Sequence, residues 1–186
     1  MTLQHFWQEI DGYFTFPDFY SWIATQLKPG DLAVEMGAYT GQSAAYLIVE
    51  AINAGLDTFR LDLVDIEMTK HRTLQNLDRV IEHVGKVHEC DSLVAASRYE
   101  DKSIDFLFLD AAHDYANISR DITAWLPKVK PGGIISGHDY KAWRDFGVID
   151  AVTERFERVE VWRGMLGGGD KQMQENGYWP CWAVRL

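Results

Sequence analysis

The sequence predicts a doubly wound α/β fold: a mostly parallel, seven-stranded sheet that closes with an antiparallel hairpin. Three observations lead there. Apolar β-type runs alternate with helical patterns along most of the chain. A glycine turn, Gly37-Ala38-Tyr39-Thr40-Gly41, joins the first strand to the helix after it. The last two apolar runs follow one another with no helix between them, as an antiparallel pair does.

The elements follow in order. Residues 3–27 carry Phe6, Trp7, Tyr13, Phe14, Phe16, Phe19, Tyr20 and Trp22. They read as two short helices within an aromatic cap (1–28) that packs the core or lines a pocket. Strands are expected at 32–37, 59–66, 87–90, 104–109 and 133–137, with helices at 41–54, 73–84, 92–99 and 117–128. The run Ile104-Asp105-Phe106-Leu107-Phe108-Leu109 suits a strand covered on both faces. A helix at 145–156 precedes the closing strands at 159–162 and 181–186. Between those two lies a loop at 163–180 with Gly164, Gly167, Gly168, Gly169 and Gly177, read as a lid or a disordered excursion.

Composition narrows the function. The chain has 186 residues, 47% of them hydrophobic, which suits one domain with a sizeable core. Its net charge of −10 argues against nucleic acid as a partner, because phosphate contacts need clustered Lys and Arg. Cys90 and Cys181 have neither metal nor disulfide spacing and read as buried thiols. No basic segment followed by an apolar block opens the chain, and no apolar run spans a bilayer. The expectation is a cytoplasmic protein with no membrane partner; a homo-oligomer is compatible with it.

In open α/β sheets the ligand lies beyond the carboxyl ends of the strands. Each expected strand end carries an acid: Glu35, Asp65, Asp91, Asp110 and Asp139. Any one could be a helix cap; five along one rim need cations or donors among them. Asp65 is placed to accept both hydroxyls of a ribose, Asp91-Ser92 to take a purine amine, and Glu35 to favour a positive charge. The turn reads G-x-x-x-G, not G-x-G-x-x-G, and has no Lys or Arg for a phosphate. An adenosine-bearing ligand with no phosphate requirement fits.

These residues resemble the class I S-adenosylmethionine-dependent methyltransferases. The carriers are Val34-Glu35-Met36-Gly37-Ala38-Tyr39-Thr40-Gly41, Leu63-Val64-Asp65-Ile66, Glu89-Cys90-Asp91-Ser92 and Phe108-Leu109-Asp110-Ala111-Ala112-His113. Leu126-Pro127-Lys128-Val129-Lys130-Pro131-Gly132-Gly133 matches the entry to the fifth strand. The resemblance implies a Rossmann-like methyltransferase fold with S-adenosylmethionine as cofactor. Glu35, Gly37 and Gly41 would hold the methionine end, Asp65 the ribose, and Asp91 with Ser92 the adenine. Ala38, Gln42, Ser43, Ile66 and Asp110 complete the implied contact set. The Asp-Ala-Ala-His-Asp-Tyr and Gly-His-Asp-Tyr segments are similar to a branch that methylates hydroxyls of sugars, phenols and other small molecules. Relatives in that branch use a divalent metal, usually magnesium. The matching set here is Asp110, His138 and Asp139, with an imidazole where metal-dependent relatives often carry an acid. Imidazole suits zinc, iron or nickel better than magnesium.

The expected reaction is displacement of the sulfonium methyl group by a substrate oxygen, with His113 as general base. His138 is a candidate for base, metal ligand or structural hydrogen-bonder. Tyr115, Tyr140, Trp143, Met165 and Trp179 are expected to line the acceptor side. His5, His71, His83 and His88 read as surface or core residues. Three rivals remain: a metal-dependent hydrolase using Asp110, His113, His138 and Asp139, a non-catalytic S-adenosylmethionine-binding protein, and a nicotinamide dehydrogenase.

Overall fold

The computed structural model describes residues 2–164 and 177–186. Its strands are β1 (Leu32–Met36), β2 (Arg60–Asp65), β3 (Val84–Glu89), β4 (Ile104–Leu109), β5 (Val129–Gly137), β6 (Glu160–Trp162) and β7 (Cys181–Arg185). The helices are α1 (Pro17–Gln26), α2 (Gln42–Asn53), α3 (Lys70–Asn76), α4 (Ser92–Ala96), α5 (Tyr115–Trp125) and α6 (Val148–Arg155). All seven strands join one sheet in the order β3-β2-β1-β4-β5-β7-β6. β1 to β5 pair in parallel, whereas β7 runs antiparallel to both neighbours. The closing hairpin is therefore inserted with its second strand innermost, between β5 and β6.

The pleat explains why the central runs are apolar throughout. In β4, Phe106 and Phe108 face one core and Leu107 and Leu109 the other. The first core gathers Phe14, Phe16, Tyr20 and Ile23 from the N-terminal segment with Leu47 and Ile48 of α2. The second gathers Ile118, Ile122 and Trp125 of α5 with Val152 and Trp182. The N-terminal aromatics thus pack as core while some of them also reach the ligand cleft. As expected, that segment holds two short helical pieces, a 3₁₀ turn at Trp7–Glu9 and α1.

Several boundaries differ from the sequence reading: α4 ends at Ala96 rather than 99, and β5 begins at Val129 rather than 133. The helix expected at 73–84 is shorter, because α3 ends at Asn76 and a 3₁₀ turn (Asp78–His83) follows, kinked at Val80. β3 begins at Val84, before the expected 87, and runs through Gly85. A Cβ on Gly85 would overlap the buried carboxylate of Asp62, which accepts hydrogen bonds from Lys86 N at 2.6 Å and Tyr99 Oη at 2.7 Å. That glycine is a site of close approach within a strand rather than a breaker. Among the described residues no helix is long and apolar enough to cross a membrane.

β1 also carries an acid into the core. Glu35 is 1% exposed. Its Oε1 accepts from Ser43 Oγ, and its Oε2 is buried without a hydrogen-bond partner. Burial raises the Glu35 pKa to about 7; Ser43 opposes that rise, and Asp110 and Asp65 add to it. Folded Glu35 therefore keeps its proton in a range where an unfolded glutamate has lost it. Its contribution to stability is complete below the unfolded pKa and declines as pH rises through about 7. Relative to Glu35→Gln, the wild-type protein should lose on the order of 3 kcal/mol between pH 4.5 and pH 8 in urea titrations. Parallel stability curves for the two proteins would show that Glu35 does not titrate in this way.

Candidate active site

The carboxyl ends of the parallel strands border one cleft of about 770 Å³. Its floor is built by the turns that follow β1 to β5, so topology alone brings together residues from 36 to 139. Of the residues singled out from sequence, Gly37, Ala38, Gln42, Ser43, Asp65, Ile66, Asp91, Ser92, Asp110, His113, His138 and Asp139 border it. Glu35 lies beneath the glycine turn, and Gly41 starts α2 against Leu77 and Thr73; neither borders the cleft. The four acids Glu35, Asp65, Asp91 and Asp110 nevertheless gather at one rim of the sheet.

At one limb the acids organise the backbone. Asp65 accepts from Tyr39 N and Glu67 N, both at 2.7 Å, and so ties the glycine turn to the end of β2. Asp91 caps α4 by accepting from Leu93 N at 2.8 Å. Ser92 Oγ donates to Asp121 Oδ1 at 2.8 Å and accepts from Trp125 Nε1 at 2.9 Å. Arg120 pairs with Asp91 at 3.6 Å and Asp121 at 3.4 Å. Burial pushes Asp121 above the usual carboxylate range, with Ser92 and Arg120 restraining the rise. Gln42 serves the N-terminal segment: its Oε1 accepts from Phe14 N at 3.0 Å and its Nε2 donates to the Ile10 carbonyl at 2.7 Å. That clamp sets Gly12, Tyr13, Phe14 and Phe16 as a wall of the cleft.

At the other limb four titratable groups meet. His113 Nε2 donates to Asp139 Oδ2 at 2.8 Å and lies 4.0 Å from Asp110 Oδ1. His138 Nδ1 lies 3.3 Å from Asp139 Oδ1 and 3.6 Å from Asp110 Oδ1. Its Nε2 is 3.1 Å from the Trp179 carbonyl and 3.0 Å from Thr15 Oγ1. Burial alone would lower the His138 pKa, but Asp139 and Asp110 outweigh it and raise it to about 10. Burial likewise opposes the charge on His113, and Asp139 with Asp110 lifts its pKa above the usual value. Asp139 is held well below the carboxylate range, its burial being overcome by His138 and His113. It also adopts a left-handed φ of 57°, a strain of about 1–3 kcal/mol that concentrates at functional sites.

An aromatic wall completes this limb. The His113 ring stacks on Phe146 at 4.7 Å and 14°, and Trp143 and Trp179 meet edge to face at 5.0 Å. Trp143 and Trp179 border the cleft as expected. Tyr115 and Tyr140 do not: Tyr115 donates to Glu154 on the outer surface, and Tyr140 packs against the α5 core. Met165 and most of the expected lid, 165–176, lie outside the described residues. Cys181 is buried as expected, but Cys90 is only half-buried and borders the cleft, because it sits at the exposed end of β3.

Sequence reasoning missed Asp121, Arg120, Phe146, Gly12 and Thr15, whereas Tyr13, Phe14 and Phe16 belong to the aromatic segment expected to pack the core or line a pocket. Asp121 left a legible signal. It falls on the apolar face of α5 marked by Ile118, Ile122 and Trp125, where an acid needs a partner. Thr15 left none, since its bond to His138 spans 123 positions.

Comparison with known proteins agrees with this architecture. The chain is similar to uncharacterized protein y4gI of Sinorhizobium fredii, with 26% identity over 153 residues, 75% of this chain and 16% of that protein. The chain thus spans about a sixth of that relative's length. It superposes on an O-methyltransferase from Bacillus cereus in complex with SAH, at 16% identity and TM-score 0.65, covering 96% of this chain and 86% of that one. It also superposes on an rRNA methylase from Streptococcus thermophilus, at 15% identity and TM-score 0.64, covering 91% and 95%. Residues 34–140 match the family model described as a methyltransferase domain. Family match, sheet order and strand-end cleft agree: the chain belongs to the class I S-adenosylmethionine-dependent methyltransferases.

Proposed function

We propose that this enzyme methylates a hydroxyl oxygen of a small, ring-bearing molecule, with His113 as general base. The observation that carries the reading is the His113–Asp139 pair beside the Phe146, Trp143 and Trp179 wall. With its Nε2 hydrogen committed to Asp139, neutral His113 has its lone pair on Nδ1. That atom takes the proton of the acceptor hydroxyl as the oxygen becomes nucleophilic. Phe146 fixes the ring plane, and half-buried Trp143, packed edge to face on the buried Trp179, offers an aromatic surface for a sugar or phenolic ring.

The other limb suits S-adenosylmethionine. Its acids favour a ligand with positive charge, and Arg120 is the one Lys or Arg among the described cleft residues. Already paired with Asp91 and Asp121, Arg120 is not positioned as a phosphate receptor. Asp65 would hold the ribose, Asp91 and Ser92 the adenine edge, and Gly37 with Ala38 the methionine end. Exposed Ile66 would cover an adenine face. When bound, the cofactor supplies an electrophilic methyl group. Alignment of acceptor and methyl group by the two limbs can supply roughly 7–11 kcal/mol, and a positioned base roughly a further 10²–10⁴ in rate. A net charge of −10 supports a small acceptor over an RNA.

In calorimetry, S-adenosylmethionine and S-adenosylhomocysteine should bind and nicotinamide dinucleotide should not. Asp65→Ala should weaken S-adenosylmethionine by about 10–100-fold, the loss of hydrogen bonds to a charged acceptor; unchanged affinity would remove Asp65 from the site. In a screen of hydroxylated ring compounds, His113→Ala should cut kcat by about 10²–10⁴ and leave cofactor affinity within a few-fold. Unaltered turnover would exclude His113 as the base. Because the His113 pKa is raised, the wild-type rate should fall on the acid side from a pH above the ordinary histidine value.

A further inference from the structure

Asp110 and Asp139 place two carboxylates side by side at the acceptor limb. Like charges so close require a positive partner. One atom each of Asp110, His113 and Asp139 lie within 4.8 Å of one another, close enough to share a cation. The space between the carboxylates is nevertheless taken by a protein group, the 7% exposed ring of His138.

The groups around that ring can accept a hydrogen from each of its nitrogens. The Trp179 carbonyl, 3.1 Å from Nε2, can only accept, and the Thr15 hydroxyl at 3.0 Å can accept as well, so a hydrogen on Nε2 satisfies both. The opposite nitrogen, Nδ1, faces carboxylate oxygens at 3.3 and 3.6 Å and also carries one. A ring that donates from both nitrogens is a cation and has no lone pair for a metal. Thr15 and the Phe16 ring, 4.7 Å away, hold it in this orientation. A divalent ion bound at Asp110, His113 and Asp139 would have to break the 2.8 Å His113–Asp139 bond and sit beside the His138 charge.

We propose that the His138 ring is the resident cation of this site, standing where a divalent ion would stand between Asp110 and Asp139, so that the enzyme needs no metal. His138 is then a positioning residue: it holds Asp139, and Asp139 orients His113. This rests on His113 being the base, but its tests need no methyl acceptor. Its failure is therefore distinguishable from a failure of the turnover measurements on His113→Ala.

The wild-type protein, saturated with S-adenosylhomocysteine, is titrated in a calorimeter with MgCl2, MnCl2 and ZnCl2. No binding tighter than millimolar is expected. Micromolar binding of any of the three that Asp110→Ala abolishes would overturn the proposal. His138→Asp removes the cation and adds a third carboxylate, and should bind Mg²⁺ or Mn²⁺ at least tenfold more tightly than wild type. A folded His138→Asp protein that gains no such affinity would also overturn it. Should that variant fail to fold, nitrogen-15 NMR of the wild type decides. Both ring N–H groups of His138 should be present at pH 8, and a neutral ring there would refute the assignment. In His138→Asn, the loss of a neighbouring positive charge should shift the His113 titration to higher pH. A His138 that only fills space would leave that titration where it is.

Discussion

A Cβ at residue 37 would land on the main-chain carbonyl of Asp110. Gly37, with φ of 90°, lets the turn after β1 press directly against the end of β4 while its N–H donates to the Val64 carbonyl at 2.8 Å. This close approach joins the two limbs of the cleft. The glycine turn and Asp65 define one, Asp110 and His113 the other, and nothing thicker than backbone separates them. A methyl group carried on the first limb can be offered to an acceptor on the second only because no side chain intervenes.

The two limbs solve the problem of crowded acids differently. Around the glycine turn, Asp65 spends its charge on two backbone N–H groups and Asp91 on one, while Arg120 bridges Asp91 to Asp121. Backbone donors and one guanidinium, rather than imidazoles, serve these carboxylates. Around Asp110 and Asp139 the carboxylates are met instead by two imidazoles at 2.8 to 4.0 Å. The first arrangement favours a cationic ligand. The second presents an acceptor hydroxyl with a base held in one orientation.

The succession of strands and helices, the closing hairpin and the row of strand-end acids were legible because they follow from local periodicity and one topological rule. Partner choice was not, because it is set by residues far apart in the chain. The Ser43 hydroxyl turns down to Glu35, the Gln42 amide outward to the N-terminal segment, and the Ser92 hydroxyl toward α5. The resemblance implies a ligand contact for each, and each borders the cleft, but its protein partner is set by the fold. Gly85 falls between the helix expected to end at 84 and the strand expected to start at 87, whereas in the sheet it belongs to β3 and makes room for Asp62. The paired histidines were correctly located at the ends of β4 and β5, but their division of labour depends on Thr15 and Trp179, which lie on neither strand.

That division follows from burial and from what each ring faces. His138 is 7% exposed and has acceptors on both sides, so it is enclosed by protein and out of reach of an acceptor in the cleft's open part. The His113 side chain is 39% exposed, is held at one nitrogen and stacked along one face, and borders the cleft. Only a group in the second situation can take up a proton and return it to solvent in each cycle. Shared contact with Asp139 couples the two, so the rigidity of the buried ring supplies the orientation that the accessible one needs. The aromatic N-terminal segment contributes to the chemistry by the same route: Thr15 and Phe16 pack on His138, which in turn braces the residue that aligns His113.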